Sequence, residues 1–250
     1  MTGRRLFAAI GSALAFVVAW KLVTLATGVP PYILPAPEGV AVRGVRAIGS
    51  GTLWTHTAAT LLESALGFIA GAAVAIAVGL VLARSVLLER VLSPYIVAAQ
   101  AVPILALAPL LDIWFGGGLL ARVVICALIV FFPIAIATMV GVRSVDPALV
   151  ELFASVGAGE RFRVRNLDIP WALPVIFGGL RVGVTLSVIG AVVAEWAGAS
   201  AGLGILINIA DQGLFDTPLM FVALVTLAVI GLAGYGLVVA AEHRLVPVQR

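Results

Sequence analysis

Among the ionisable side chains of the long apolar runs, Glu63 and Arg181 stand inside their runs and Glu195 at the far end of one. A charge at bilayer depth is costly, so each needs a partner, water or a task such as proton transfer or ion coupling. Glu63 stands near the outer end of its run, where interfacial water could reach it as well as a hydrogen-bond donor. Arg181 and Glu195 are 14 residues apart, about 21 Å along a helix, and cannot pair directly. Arg181 therefore requires a partner on another helix or a solvated cavity. Glu195, followed by Trp196, is expected near the outer mouth of a pore, where the two could shape a gate. Enzymatic chemistry finds no foothold. His56 and His243 flank different runs without metal-ligand spacing, and Cys126 is the single cysteine, too few for a disulfide or a cysteine-built cluster. No GxSxG, HExxH or P-loop occurs. The glycines at 116, 117 and 118 lack the Lys and Ser or Thr that a phosphate cradle needs and read as a flexible turn after Trp114. The residues describe no metal site, no cofactor and no enzyme. They leave a passive pore or a machine powered by a partner.

The elements that position these residues are membrane helices. Hydrophobic residues make up 62% of the 250 residues and charged ones 11%, with a mean hydropathy of +1.20; soluble domains carry about 25% charged residues. The length suits one membrane domain over residues 1–250, without a separate soluble catalytic domain. A net charge of +3 could suggest nucleic acid, but the arginines cluster between apolar runs, as membrane topology requires. Arg4 and Arg5 precede a first apolar run that lacks a persuasive cleavage site, so it reads as a retained span.

The composition predicts an all-α membrane protein with about six transmembrane helices: Leu6 to Ala26, Leu61 to Ala83, Pro94 to Leu111, Leu119 to Val142, Trp171 to Ala194 and Pro218 to Ala241. The third is short and interrupted by Pro103 and Pro109, which predicts a kink; together with Trp114 these residues are weak candidates for a translocation path. With the N-terminus inside, Arg4, Arg5, Arg84, Arg90, Arg143, Arg161, Arg163, Arg165, Arg244 and Arg250 fall on the cytoplasmic side. Arg43, Arg46 and Arg122 fall outside. That bias predicts a multi-pass protein of the cell membrane with both termini cytoplasmic. Of the outer segments, Val40 to Ile48 is amphipathic, and Leu203 to Asp211 suits a short re-entrant or interfacial helix. Gly67, Gly71, Gly179, Gly183 and the group Gly231, Gly234 and Gly236 place small residues on faces where helices can pack closely.

Between the fourth and fifth spans, residues 143–170 form a polar insert. Asp146 followed by Pro147 is a helix opening, and Gly157 can close the helix in the left-handed region. A second short helix over Glu160 to Asn166 leads to Pro170 and Pro174. Such an insert is either an ordinary amphipathic loop or a lever clamped between two spans.

The insert resembles the cytoplasmic loop of permease subunits of ABC importers, whose signature runs Glu-Ala-Ala, then Gly, then Ile-x-Leu-Pro. Here Glu151, Leu152, Phe153 and Gly157 are followed, after nine residues, by Leu167, Asp168, Ile169 and Pro170. Leu152 and Phe153 replace two small residues. The likeness continues through ILPAPEGV, VPILALAPLLDIWFGGG, LPVIFGGLRVG and VVAEWAGASAGLGILI, and is strongest to the nitrate, sulfonate and taurine type. EWAGASAGLG, FDTPLMF and the segment Glu242 to Pro247 are similar to permeases for thiamine-pyrimidine precursors. The resemblance implies a type I ABC importer permease fold with a cytoplasmic coupling helix. It also implies a second permease copy, two ATP-binding subunits that hold the ATP and Mg, and an extracytoplasmic substrate-binding protein. By the same resemblance Glu151, Leu152, Phe153, Gly157 and Ala158 belong to the ATPase-coupling contact. The solute stays open between a pyrimidine precursor and a small anion such as nitrate, a sulfonate or taurine. A secondary transporter working alone is the rival of a different class.

Overall fold

The computed structural model describes residues 3–213 and 215–246; Pro247 and Arg250 lie outside the described residues. The described residues are almost entirely helical and include no strand. The helices are α1 (Gly3–Thr27), α2 (Pro37–Gly49), α3 (Thr52–Arg84), α4 (Val86–Ala101), α5 (Ile104–Trp114), α6 (Leu119–Arg143), α7 (Pro147–Ser155), α8 (Glu160–Arg163), α9 (Ile169–Gly198), α10 (Leu203–Asn208) and α11 (Thr217–Leu245). Four stretches are long and apolar enough to cross a bilayer: α3, α6, Glu160–Gly198 and α11. The pair α4 and α5 forms a fifth candidate bent by 96°, and α1 adds a shorter apolar stretch, Gly11–Thr27.

Helix α6 is the centre of the bundle, sandwiched between α3 and α9. Close approach is set by glycine. A Cβ added at Gly67 would overlap Cys126, and one at Gly71 would stand 2.7 Å from the Ala127 carbonyl oxygen. On the other side, a Cβ at Gly179 would stand 2.5 Å from Ala137 Cβ, and one at Gly183 2.7 Å from Ile134 Cδ1. Lipid tails are as apolar as the side chains, so tight van der Waals contact between backbones holds these helices together. Ala72, Ala75, Val130, Ile134 and Ala135 fill the centre. Cys126 is fully buried there. The glycine group on α11 behaves differently: Gly231 and Gly236 face open space, and only Gly234 meets a neighbour, Val184.

The expected kink in the third span is a break, and it falls at one of the two prolines. Val102 is extended, Pro103 opens α5, and Pro109 sits inside α5 without ending it. The clash of Pro103 with the residue before it moves Val102 out of the helical region. Helix α2 is the amphipathic stretch read from sequence; it lays Val40 and Ala47 against the protein. The Leu203–Asp211 expectation is met by α10 and a π turn, Ile209–Gly213. The two-helix reading of 160–194 is corrected. Glu160–Gly198 is one apolar span, with a π turn at Val164–Asp168 in which the Ile169 N–H reaches back to the Val164 carbonyl. The wider turn carries the chain past Pro170, which has no N–H to give.

Candidate functional site

The insert 143–170 folds as its local chemistry dictates. The Asp146 carboxylate accepts a hydrogen bond from the Ala148 N–H at 2.9 Å and caps α7, with Pro147 in its first turn. At the other end Gly157 has φ +71°. Its N–H donates to the Ala154 carbonyl, and the Ala158 N–H donates to the Phe153 carbonyl, both at 3.0 Å. That pair of reversed bonds is a Schellman closure, and it needs the left-handed residue that glycine supplies without a Cβ penalty.

Helix α7 buries no residue. Glu151 is exposed, and Leu152 and Val156 are 56% and 73% exposed. Phe153 is half-buried against Phe162, ring centroids 6.3 Å apart. The bulk that departs from the family signature is thus turned toward this chain's own α8. The helix stands on firm supports. The Trp171 indole N–H donates to the Ser144 carbonyl at 3.0 Å, tying the start of α9 to the end of α6. Arg143 donates to the carbonyls of Leu82 and Ala83 and pairs with Glu89. Buried Asp168 lies 3.5 Å from Arg163. These contacts fix the ends of α6 and α9 between which α7 is strung.

The opposite end of the bundle holds a buried polar staple. Glu195 on α9 is 0% exposed. Its carboxylate accepts from the Thr60 hydroxyl on α3 at 2.5 Å and from the Gly204 N–H at the start of α10. The Leu203 N–H donates to the Thr60 hydroxyl at 2.8 Å. His56 Nδ1 stands 2.8 Å from the Gly202 carbonyl oxygen and 3.0 Å from its nitrogen, so either tautomer finds a partner. Gly202, at φ +144°, and Gly204 leave the room the carboxylate occupies: a Cβ at either position would collide with it. Trp196 donates its indole N–H to the Gly204 carbonyl at 2.9 Å. Glu195 thus holds a loop in place by closed hydrogen bonds.

Burial also alters the reading of the other charges. Glu63, expected near interfacial water, is 2% exposed and pairs with Arg122 on α6 at 2.9 Å. Arg122, counted from sequence among the outer charges, is a buried partner. Arg181 finds Glu242 on α11. Pro103, Pro109 and Trp114 are each exposed. Nothing in the sequence pointed to Thr60 or to a pairing role for Arg122 or Glu242. Opposite charges placed in separate apolar runs were the one available signal for the two ion pairs; a lone threonine in a helix carried none. Among the described residues, no three His, Cys, Asp or Glu side chains come together to hold a metal.

The chain is similar to known proteins over nearly its whole length. It is 46% identical over 229 residues to the riboflavin transport system permease protein RibX of Chloroflexus aurantiacus, covering 92% of this chain and 85% of that one. It is 33% identical over 234 residues to the formylaminopyrimidine transport permease protein ThiX of Halalkalibacterium halodurans, covering 94% and 92%. To the taurine transport system permease protein TauC of Escherichia coli it is 31% identical over 250 residues, covering 98% and 90%. Its fold matches a chain of the inward-facing MetNI methionine ABC transporter with a TM-score of 0.64 at 21% identity, over 75% of this chain and 96% of that one. The sequence model for the inner membrane component of binding-protein-dependent transport systems matches residues 49–247, which take in the α3–α6–α9 core, the capped α7 and the staple. With spans and a clamped insert of this kind, the chain belongs to that family, the permease subunits of ABC transporters.

Proposed function

We propose that this permease works as a homodimer forming the pore of an ATP-driven importer, with residues 147–158 receiving force from two ATP-binding subunits. The observation that carries this is α7 itself: a helix closed at both ends that buries nothing and is strung between the ends of α6 and α9, which are tied to each other. A helix packed on its own protein would hide its apolar side chains; this one presents Leu152 and Val156. Arg84, Arg90, Arg143, Arg161, Arg163 and Arg165 gather at the same end, which favours placing it, and both termini, in the cytoplasm. ATP and Mg belong to the partner subunits, and this chain performs no catalysis. ATP binding and hydrolysis would bias two global states of the pore through α7, which requires that the partner bind them with different affinity.

A binding protein delivers the solute from the other side. Relatives named for riboflavin, formylaminopyrimidine and taurine support a small solute, either a heteroaromatic ring such as a pyrimidine precursor or a small anion such as nitrate or a sulfonate. A secondary transporter working alone is disfavoured: Arg122 on α6 and Arg181 on α9 are each paired with a carboxylate, so neither is left open for ion coupling.

The test uses the single, buried cysteine. With Cys126 shielded, Ala158→Cys offers one reactive thiol, and it should crosslink to the ATPase subunit in membranes in a nucleotide-dependent way. Gly157→Asp should leave the protein inserted and abolish solute-stimulated ATPase activity. A thiol at 158 that is labelled from the extracytoplasmic side, or full stimulation in the Gly157→Asp complex, would refute the coupling role.

A further inference from the structure

We propose that the notch beside the broken span is one half of a solute site for a flat, uncharged heteroaromatic ring; this deepens the permease reading above and rests on it. The notch has a volume of about 490 Å³, with Gln100, Pro103, Leu107, Phe132, Pro133 and Leu186 among its walls. Phe132 and Pro133 lie at the middle of α6, and Leu186 lies near the middle of α9. The notch therefore sits at about half the depth of the bundle.

Depth matters because of the break. Pro103 has no N–H to give the Ala99 carbonyl, and the 96° bend carries the N–H groups of Ile104 and Leu105 out of line with the end of α4. Lipid cannot satisfy such groups; irregular backbone at this depth persists only inside protein or along a watered passage. Val102 and Pro103 are exposed on this chain, so the face carrying them borders the passage, with the second permease copy as the facing wall.

The chemistry of the notch selects among solutes. Its walls are apolar apart from the Gln100 carboxamide, which both donates and accepts. The Phe132 ring on the wall packs perpendicular to Phe131, centroids 5.2 Å apart, and aromatic rings favour stacked or edge-to-face partners such as a flat heterocycle. Donors and acceptors on the edge of a heteroaromatic ring match the carboxamide and the freed backbone groups at the break. An oxyanion would need a cation, and Arg122 and Arg181 are committed to Glu63 and Glu242. A larger groove of about 560 Å³ between α9 and α11 lacks this chemistry: the Thr185 hydroxyl on its wall is already bonded to the Val182 carbonyl. A slot of that kind suits an acyl chain.

The experiment uses the permease assembled with its ATPase subunits in lipid nanodiscs, with riboflavin fluorescence anisotropy as the readout. Riboflavin should bind saturably and be displaced by formylaminopyrimidine but by neither taurine nor nitrate. Gln100→Leu and Phe132→Ala should each weaken binding about tenfold, the scale of one lost hydrogen bond or stacking contact, and Gln100→Asn should weaken it less. Leu224→Phe, in the other groove, should change nothing. Failure of both ring probes to bind, equal displacement by taurine, or indifference to Gln100→Leu and Phe132→Ala would overturn the proposal. Retained ATP-driven import by the same complex in sealed proteoliposomes in those cases leaves the permease reading standing, whereas loss of ATPase coupling in the Gly157→Asp test addresses that reading alone.

Discussion

The two ends of the bundle handle polar chemistry in opposite ways. At the α7 end, charged and apolar side chains face outward, and the helix is held through its flanks by Trp171, Arg143 and Asp168. At the α10 end, Glu195, Thr60 and His56 are spent inward, on backbone groups of residues 202–204. The first arrangement leaves a surface for another protein to grip. The second welds a loop to two helices, because a buried donor or acceptor left unpaired costs about 1–3 kcal/mol. Charged residues near a helix end are thus turned outward in one place and held in structure in the other, and burial separates the two.

Substitutions can break this contrast. The largest effect is expected at Gly202, where Val would add a left-handed strain of about 1–3 kcal/mol and a collision with the Glu195 carboxylate worth about as much again. Thermal melting of the purified protein in detergent should show a large loss of stability or no folded fraction. A wild-type melting curve would mean that the staple is loose. Glu195→Gln keeps the shape but turns one acceptor into a donor facing hydrogen-bond donors, so about 1–3 kcal/mol should be lost; the same melt measures it. At the α7 end the pattern reverses. Leu152→Ser, at an exposed position, should move stability by less than about 0.5 kcal/mol while weakening co-purification of the ATPase subunit. A variant that melts early yet keeps its partner would erase the distinction between the two ends.

Much of the fold was legible because its causes are local. Asp146 and Pro147 announce a helix start within a few residues, Gly157 announces its end, and the apolar runs announce spans through their length alone. The amphipathic pattern from Val40 to Ile48 named α2 for the same reason. What escaped depends on partners distant in sequence. The π turn at Val164–Asp168 merges two expected helices into one because Pro170 and the packing of Leu167 and Asp168 must be met together. Pro103 and Pro109 look alike in sequence, but one breaks the helix and the other is absorbed by it. The glycines of α3 and α9 met α6 as expected, whereas Gly231 and Gly236 face open space, since a small residue packs only where another helix arrives.

From sequence alone came the membrane class, four of the spans and the capped insert, which follow from hydropathy, local backbone preference and spacing, and beside them the resemblance of that insert to a permease loop. Tertiary structure alone decided what the charges do. Glu63 with Arg122, Arg181 with Glu242, and Glu195 with Thr60 join residues far apart along the chain. Desolvation makes an isolated charge intolerable at that depth, but which helix faces meet, and so which partner answers, is set by the packing of α3, α6, α9 and α11.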